Sequence, residues 1–302
     1  MSDEKETQSA SGQAGENVSE VAIAEPKSAM TEVVQPTVDQ VVEGKAAEKR
    51  KQTMDEAVTA LAETKNALAA LDENDTAKAL EALAQGTGKL ELILARQPEL
   101  AFAPVDVQTM VHDVFAGTDT IEDLLDDAEH ALKHGEVQKA RHLLSGMASE
   151  IVIKTTSLPL ATYPKALSAV APLIDEGKID EAKRALQAVL GTLVVSSRVV
   201  IPLAVERARA LLKEAESLAE KSGRSTEEEK RLGAMLDDAR EQLEMAELLG
   251  YGRKKSDFQA IYDQIKAVKE KAKSGKSGKG FFDEVTASFR SLFDRKNDDE
   301  KI

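Results

Sequence analysis

The chain has 302 residues, a formal net charge of −14, no cysteine, no tryptophan and only 3% aromatic side chains. The missing cysteine excludes disulfides, thiol nucleophiles and thiolate metal sites, while the acidic balance and scarce aromatics argue against nucleic acid, whose binding rests on phosphate neutralisation and base stacking. No run approaches the ~20 apolar residues of a membrane span, and no apolar segment of an export signal follows Met1 to Gln8, so the sequence reads as a cytoplasmic protein.

Residues 1–50 are rich in Ser, Glu, Gln and Thr and interrupted by Pro26 and Pro36, which reads as a disordered acidic tail with a transient helix near Val41 to Arg50. Helical periodicity begins near Gln52, where Ala57, Leu61, Thr64, Leu68 and Leu71 share a stripe. A helical stop at Asn74 leads to a second helix with Leu80, Leu83, Leu90 and Leu94 on one face, ending before Pro98.

That helix–stop–helix pattern recurs. Ala70 to Leu83 aligns with Ala131 to Leu144 and with Leu173 to Leu186, so that Asn74, Gly135 and Gly177 correspond, as do Ala79, Ala140 and Ala182. Asn or Gly suits a helix end whose next residue takes φ > 0, and each copy therefore predicts an αα-hairpin. A proline trails each copy: Pro98, Pro159 and Pro202.

Between the first two copies, Pro98 to Pro104 reads as a connector and Val105 to Ala116 as a short helix. Thr120-Ile-Glu-Asp123 has the form of a capping box opening the helix that ends at His134. The β-branched patches Ile151 to Thr156 and Thr192 to Ile201 would suit short strands alone, but their shared placement after a repeat helix favours helix. Leu203 to Lys221 is cleanly amphipathic; Ser225 and Thr226 with Glu228 and Glu229 offer caps for a helix to Leu249, which Gly250-Tyr251-Gly252 stops. Ser256 with Gln259 caps a further helix bearing Phe258, Ile261, Tyr262, Ile265 and Val268. The expected architecture is all-α, an antiparallel helical bundle of repeated αα-hairpins over residues 51–273, with the tail at 1–50 and a basic linker plus Phe-rich helix at 274–302.

The Gly135 and Gly177 stops, Ser157-Leu-Pro-Leu160, Val200-Ile-Pro-Leu203 and Leu249-Gly-Tyr251 resemble the YfdX family of bacteria over about residues 52–270. The resemblance implies an all-helical fold, homo-oligomerisation and a link to acid, heat and other stress responses, with no established enzymatic activity. It carries over no site residues. The chain departs from many relatives in lacking an export signal and in its long extensions at both ends.

Three histidines cluster in the second copy, His130 and His134 on one helix and His142 across the hairpin. A His-x3-His pair could take a divalent metal or sense pH through imidazole charging; solvated surface histidines are the plain alternative. Ser274 to Gly280 resembles a phosphate loop, but Glu270 stands where its first glycine belongs, so it reads as linker. No nucleophile–base–acid arrangement stands out, and neither an enzymatic activity nor a cofactor is expected.

At the C-terminus, Phe281, Phe282, Val285, Phe289, Leu292 and Phe293 fall on one helical face behind the lysines from Lys266 to Lys279. Such a face docks on an anionic membrane or a partner, or folds back onto the helical body. The function expected is that of a non-enzymatic, chaperone-like stress protein acting through protein clients and self-association; the alternative is a small-molecule binder with a pocket between helices near the Pro-Leu-Ala corners.

Overall fold

The computed structural model describes residues 28–114, 116–252, 255–273 and 278–293. The described residues are mostly helical, but the chain also builds a three-stranded antiparallel sheet, so the all-α expectation is corrected. Its strands are β1 (Phe102–His112), β2 (Glu150–Pro159) and β3 (Val194–Pro202), in that order with β2 central.

Each strand replaces a predicted helical or connecting stretch, for one physical reason. Val105, Val107, Val111, Ile151, Val152, Ile153 and Val194 to Ile201 concentrate branched side chains that are stiff in a helix and pack well on a pleated surface. Pairing then aligns them across the sheet: Thr109 and Val199 both face Ile153, and Val111 and Ile201 both face Ile151. Pro104 is tolerated because β1 is an edge strand, with a register shift between Pro104 and Asp106.

The tail ends earlier than expected. Ser28 caps α1 (Ala29–Arg50) by accepting a hydrogen bond from Thr31 N, and Thr31, Val34, Val38, Val42 and Ala46 form its buried stripe. That stripe overrides Pro36 in the helix interior, which removes one intrahelical hydrogen bond and crowds the carbonyl four residues back. Residues 1–27 lie outside the described residues.

Three helix–turn–helix segments follow one local chemistry. They are α2 (Asp55–Asp72) with α3 (Thr76–Arg96), α4 (Thr118–Lys133) with α5 (Val137–Leu144), and α6 (Tyr163–Ser168) plus α7 (Val170–Asp175) with α8 (Ile179–Leu190). Their turns place Asn74, Gly135 and Gly177 at φ of 60°, 74° and 73°. One residue later, Asp75, Glu136 and Lys178 donate backbone N–H to Ala70, Ala131 and Leu173, each at 2.8 Å, which satisfies carbonyls the helix end would otherwise leave open. Ala79, Ala140 and Ala182 are all buried where the two helices of each hairpin approach. The capping box expected at Thr120 is absent: α4 starts at Thr118 after Gly117, and Thr120 lies inside the helix.

Two cores meet at the sheet. One holds α2, α3, α6, α7 and α8 against Ala103, Val105 and Leu158. The other holds Ile151, Ile153 and Ile201 against α1, α9 (Leu203–Glu220), α10 (Thr226–Leu248), α11 (Lys255–Ala272) and α12 (Asp283–Phe293). Ser225 and Glu228 form the expected capping box at the start of α10, and Gly250 at φ 79° follows its end.

Candidate functional site

The most elaborate polar arrangement joins elements far apart in sequence where the sheet meets α1, α9 and the segment after α10. Arg207 and Asp113 form a two-pronged ion pair, Nη2 to Oδ2 at 2.6 Å and Nη1 to Oδ1 at 3.0 Å, with side chains only 5% and 8% exposed. Arg207 Nε also donates to Gln35 Oε1 of α1 at 3.1 Å, and Ser149 Oγ donates to Asp113 Oδ1 at 3.0 Å. Two charges taken from water are tolerable only when paired and hydrogen-bonded in this way.

Tyr251 completes the arrangement. Its hydroxyl accepts from Ser149 N at 3.1 Å and donates to Glu150 Oε2 at 2.9 Å. Burial, reinforced by the neighbouring Glu150 carboxylate, holds the phenol well above the ordinary tyrosine range, so it is a neutral donor and not a base.

Beside Tyr251 opens a cleft of about 540 Å³ at the Pro202 corner. Val200, Pro202 and Val205 form an apolar wall, Leu292 and Phe293 of α12 close the far side, and Lys45, Glu206 and Arg209 bring charge. Arg209 reaches Glu206 Oε2 at 3.5 Å and lies 5.0 Å from the centre of the Phe289 ring. The groups are those of a binding cleft that can orient an anionic or hydrogen-bonding molecule against an apolar floor. Neither Asp113 nor Arg207 stood out in the sequence. The available signal was Arg207 on the stripe of Leu203 and Leu211, a position where a buried charge demands a carboxylate.

The histidines are placed differently. His130 and His134 stack at the end of α4 with ring centroids 4.2 Å apart, and His134 Nδ1 lies 2.8 Å from the His130 carbonyl oxygen. They and His142 on α5 are exposed, and among the described residues no three potential metal ligands converge.

The C-terminal face is not free. Phe282, Val285, Phe289 and Leu292 are buried in the second core, with Phe281 and Phe293 packed at its margin. Phe293 meets Phe258 edge-on at 5.6 Å. Gly278 N donates to Ala219 O at 2.7 Å, and a Cβ on Gly278 would press to 3.0 Å from that oxygen. Among the described residues α12 thus lies against the helical body. Of the Ser274 to Gly280 stretch that resembles a phosphate loop in sequence, residues 274–277 lie outside the described residues.

Fold and site together define a predominantly helical protein organised around a small antiparallel sheet. The model of the YfdX family, described as YfdX protein, matches residues 60–199, a stretch that runs from α2 into β3. Among solved structures, a crystal structure of Salmonella Typhi YfdX is similar at 17% identity and a TM-score of 0.35, covering 50% of this chain and 93% of that one. A search of curated proteins finds no match. No helix among the described residues is long and apolar enough to cross a membrane.

Proposed function

We propose that this protein acts by binding, as a non-enzymatic, chaperone-like stress protein of the cytoplasm that associates with itself and with partly unfolded clients through apolar side chains held on a helical repeat of αα-hairpins. The observation that carries the reading is the α4–α5 hairpin, where Leu132, Val137 and Leu144 are 51%, 57% and 41% exposed. Large aliphatic side chains clustered on one small element cost solubility, and their usual role is to meet another surface. The resemblance to stress-associated relatives points the same way. The test is a heat-induced aggregation assay with malate dehydrogenase as client, run beside light-scattering mass measurement of the protein alone. The reading predicts suppressed client scattering and a mass above one chain. A monomer that leaves aggregation untouched would refute it.

A second reading rests on the cleft at the Pro202 corner, whose apolar wall and flanking Lys45 and Arg209 suit a small amphipathic anion. A thermal-shift screen of fatty and aromatic carboxylates tests it. Stabilisation that the Lys45→Ala variant loses supports it, and no stabilisation by any compound argues against it.

A further inference from the structure

The first and third hairpins bury each other. α2 packs on α8, and α3 packs on α6 and α7, so each hairpin offers its first helix to the other's second, the pairing that a two-fold axis generates. Leu71 and Leu83 from one hairpin and Ile174 and Leu186 from the other are all 5% exposed or less in this contact.

The second hairpin carries the same face without its counterpart. Counted from Gly135, Leu132 stands where Leu71 and Ile174 do, and Leu144 where Leu83 and Leu186 do. Both are open to solvent, as is Val137 at the position of the half-buried Ile179. The alanines that close the hairpin internally, Ala128, Ala131 and Ala140, are buried, so the hairpin itself is fully folded. α4 is anchored to α10, while the main neighbour of α5 is α4.

We propose that a second copy of this chain covers this face, the two α4–α5 hairpins pairing about a two-fold axis as the first and third hairpins pair within the chain. This rests on the self-association reading above and names its surface. Charge favours the same occupant. α4 carries six acidic side chains against Lys133 alone, and α5 carries Lys139 and Arg141 with no acid. A two-fold pair sets the acidic helix of each copy along the basic helix of the other. One position is mismatched. Asp72 and Lys183 form an ion pair at 3.1 Å between the first and third hairpins, and their counterparts are Lys133 and Arg141. Lys133 is matched within its own helix by Glu129 at 2.5 Å, so the pairing loses one cross-contact and gains no bare repulsion.

That mismatch makes the test sharp. Sedimentation velocity of the full chain over a concentration series is expected to show association. The Leu132→Asp/Leu144→Asp double variant should weaken it on the order of a hundredfold or more, with an unchanged circular dichroism spectrum because both side chains are exposed. Lys133→Asp restores the Asp72–Lys183 arrangement against Arg141 of the second copy and should tighten association by roughly two- to fivefold. Association that survives the double variant overturns this surface while leaving self-association standing. Loss in the double variant without tightening by Lys133→Asp overturns the two-fold register. A wild-type chain that stays monomeric overturns both the surface and the reading beneath it.

Discussion

Replacing Asp113 with Ala removes one half of the most buried ion pair among the described residues and strands the other. Arg207, 5% exposed, would retain Gln35 Oε1 on its Nε among the described residues, and Ser149 would lose the acceptor of its hydroxyl. Breaking a buried pair from one side costs about 3–5 kcal/mol, because the remaining charge stays out of water without compensation. For a body of this size each kcal/mol moves the melting temperature by roughly 2–4 °C, so a fall of about 6–20 °C is expected. Replacing both partners with apolar residues of similar volume, Asp113→Leu with Arg207→Met, should recover more than half of the loss, since no charge is then left buried. Thermal melts followed by far-ultraviolet circular dichroism measure both variants. An Asp113→Ala melt within about 2 °C of wild type, or a double variant no better than the single one, would refute the view that this pair is buried and mutually dependent.

The three tyrosines, Tyr163, Tyr251 and Tyr262, are all held above the ordinary phenol range, chiefly by burial, with Glu150 and Glu247 adding to the effect at the last two. A raised folded-state pKa contributes stability that is fully present below the unfolded value near ~10 and is lost as pH rises through the folded one. The native chain should therefore show less tyrosinate absorbance at pH ~11 than the urea-unfolded chain, and equal titration of the two states would contradict this. Ala140→Leu should overpack the second hairpin by roughly 1–3 kcal/mol, and an unmoved melting temperature would show that Ala140 is not a tight helix–helix contact. Phe282→Ala should cost about 3–5 kcal/mol if α12 belongs to the core; a negligible loss, together with co-sedimentation of the intact chain with anionic vesicles, would mean instead that this helix is a detachable docking segment.

The helices were readable wherever a stop signal and an apolar stripe coincided. Asn74, Gly135 and Gly177 announce left-handed turns because few residues accept that conformation cheaply, and Ser225 with Glu228 announces a helix start because both partners lie within one turn. The strands were obscured because pairing is not local. Ile151 to Ile153 read equally well as the end of a helix until Thr109, Val111, Val199 and Ile201 stand opposite them. α1 was hidden by Pro36 and by polar composition, although Val34, Val38 and Val42 already had helical spacing. The Asp113–Arg207 pair left the faintest trace, since its partners are far apart in the chain and one acid among 54 acidic residues has nothing local to distinguish it.

The claim that the chain works through the apolar face of α4–α5 is tested most directly by amide hydrogen exchange read at two concentrations, one where the chain is monomeric and one where it is associated. The account predicts added protection confined to residues 129–145, with α2, α3 and α8 unchanged because their equivalent faces are already covered. Protection that appears instead on the edge strands or on α12, with α4 and α5 exchanging as before, would contradict it.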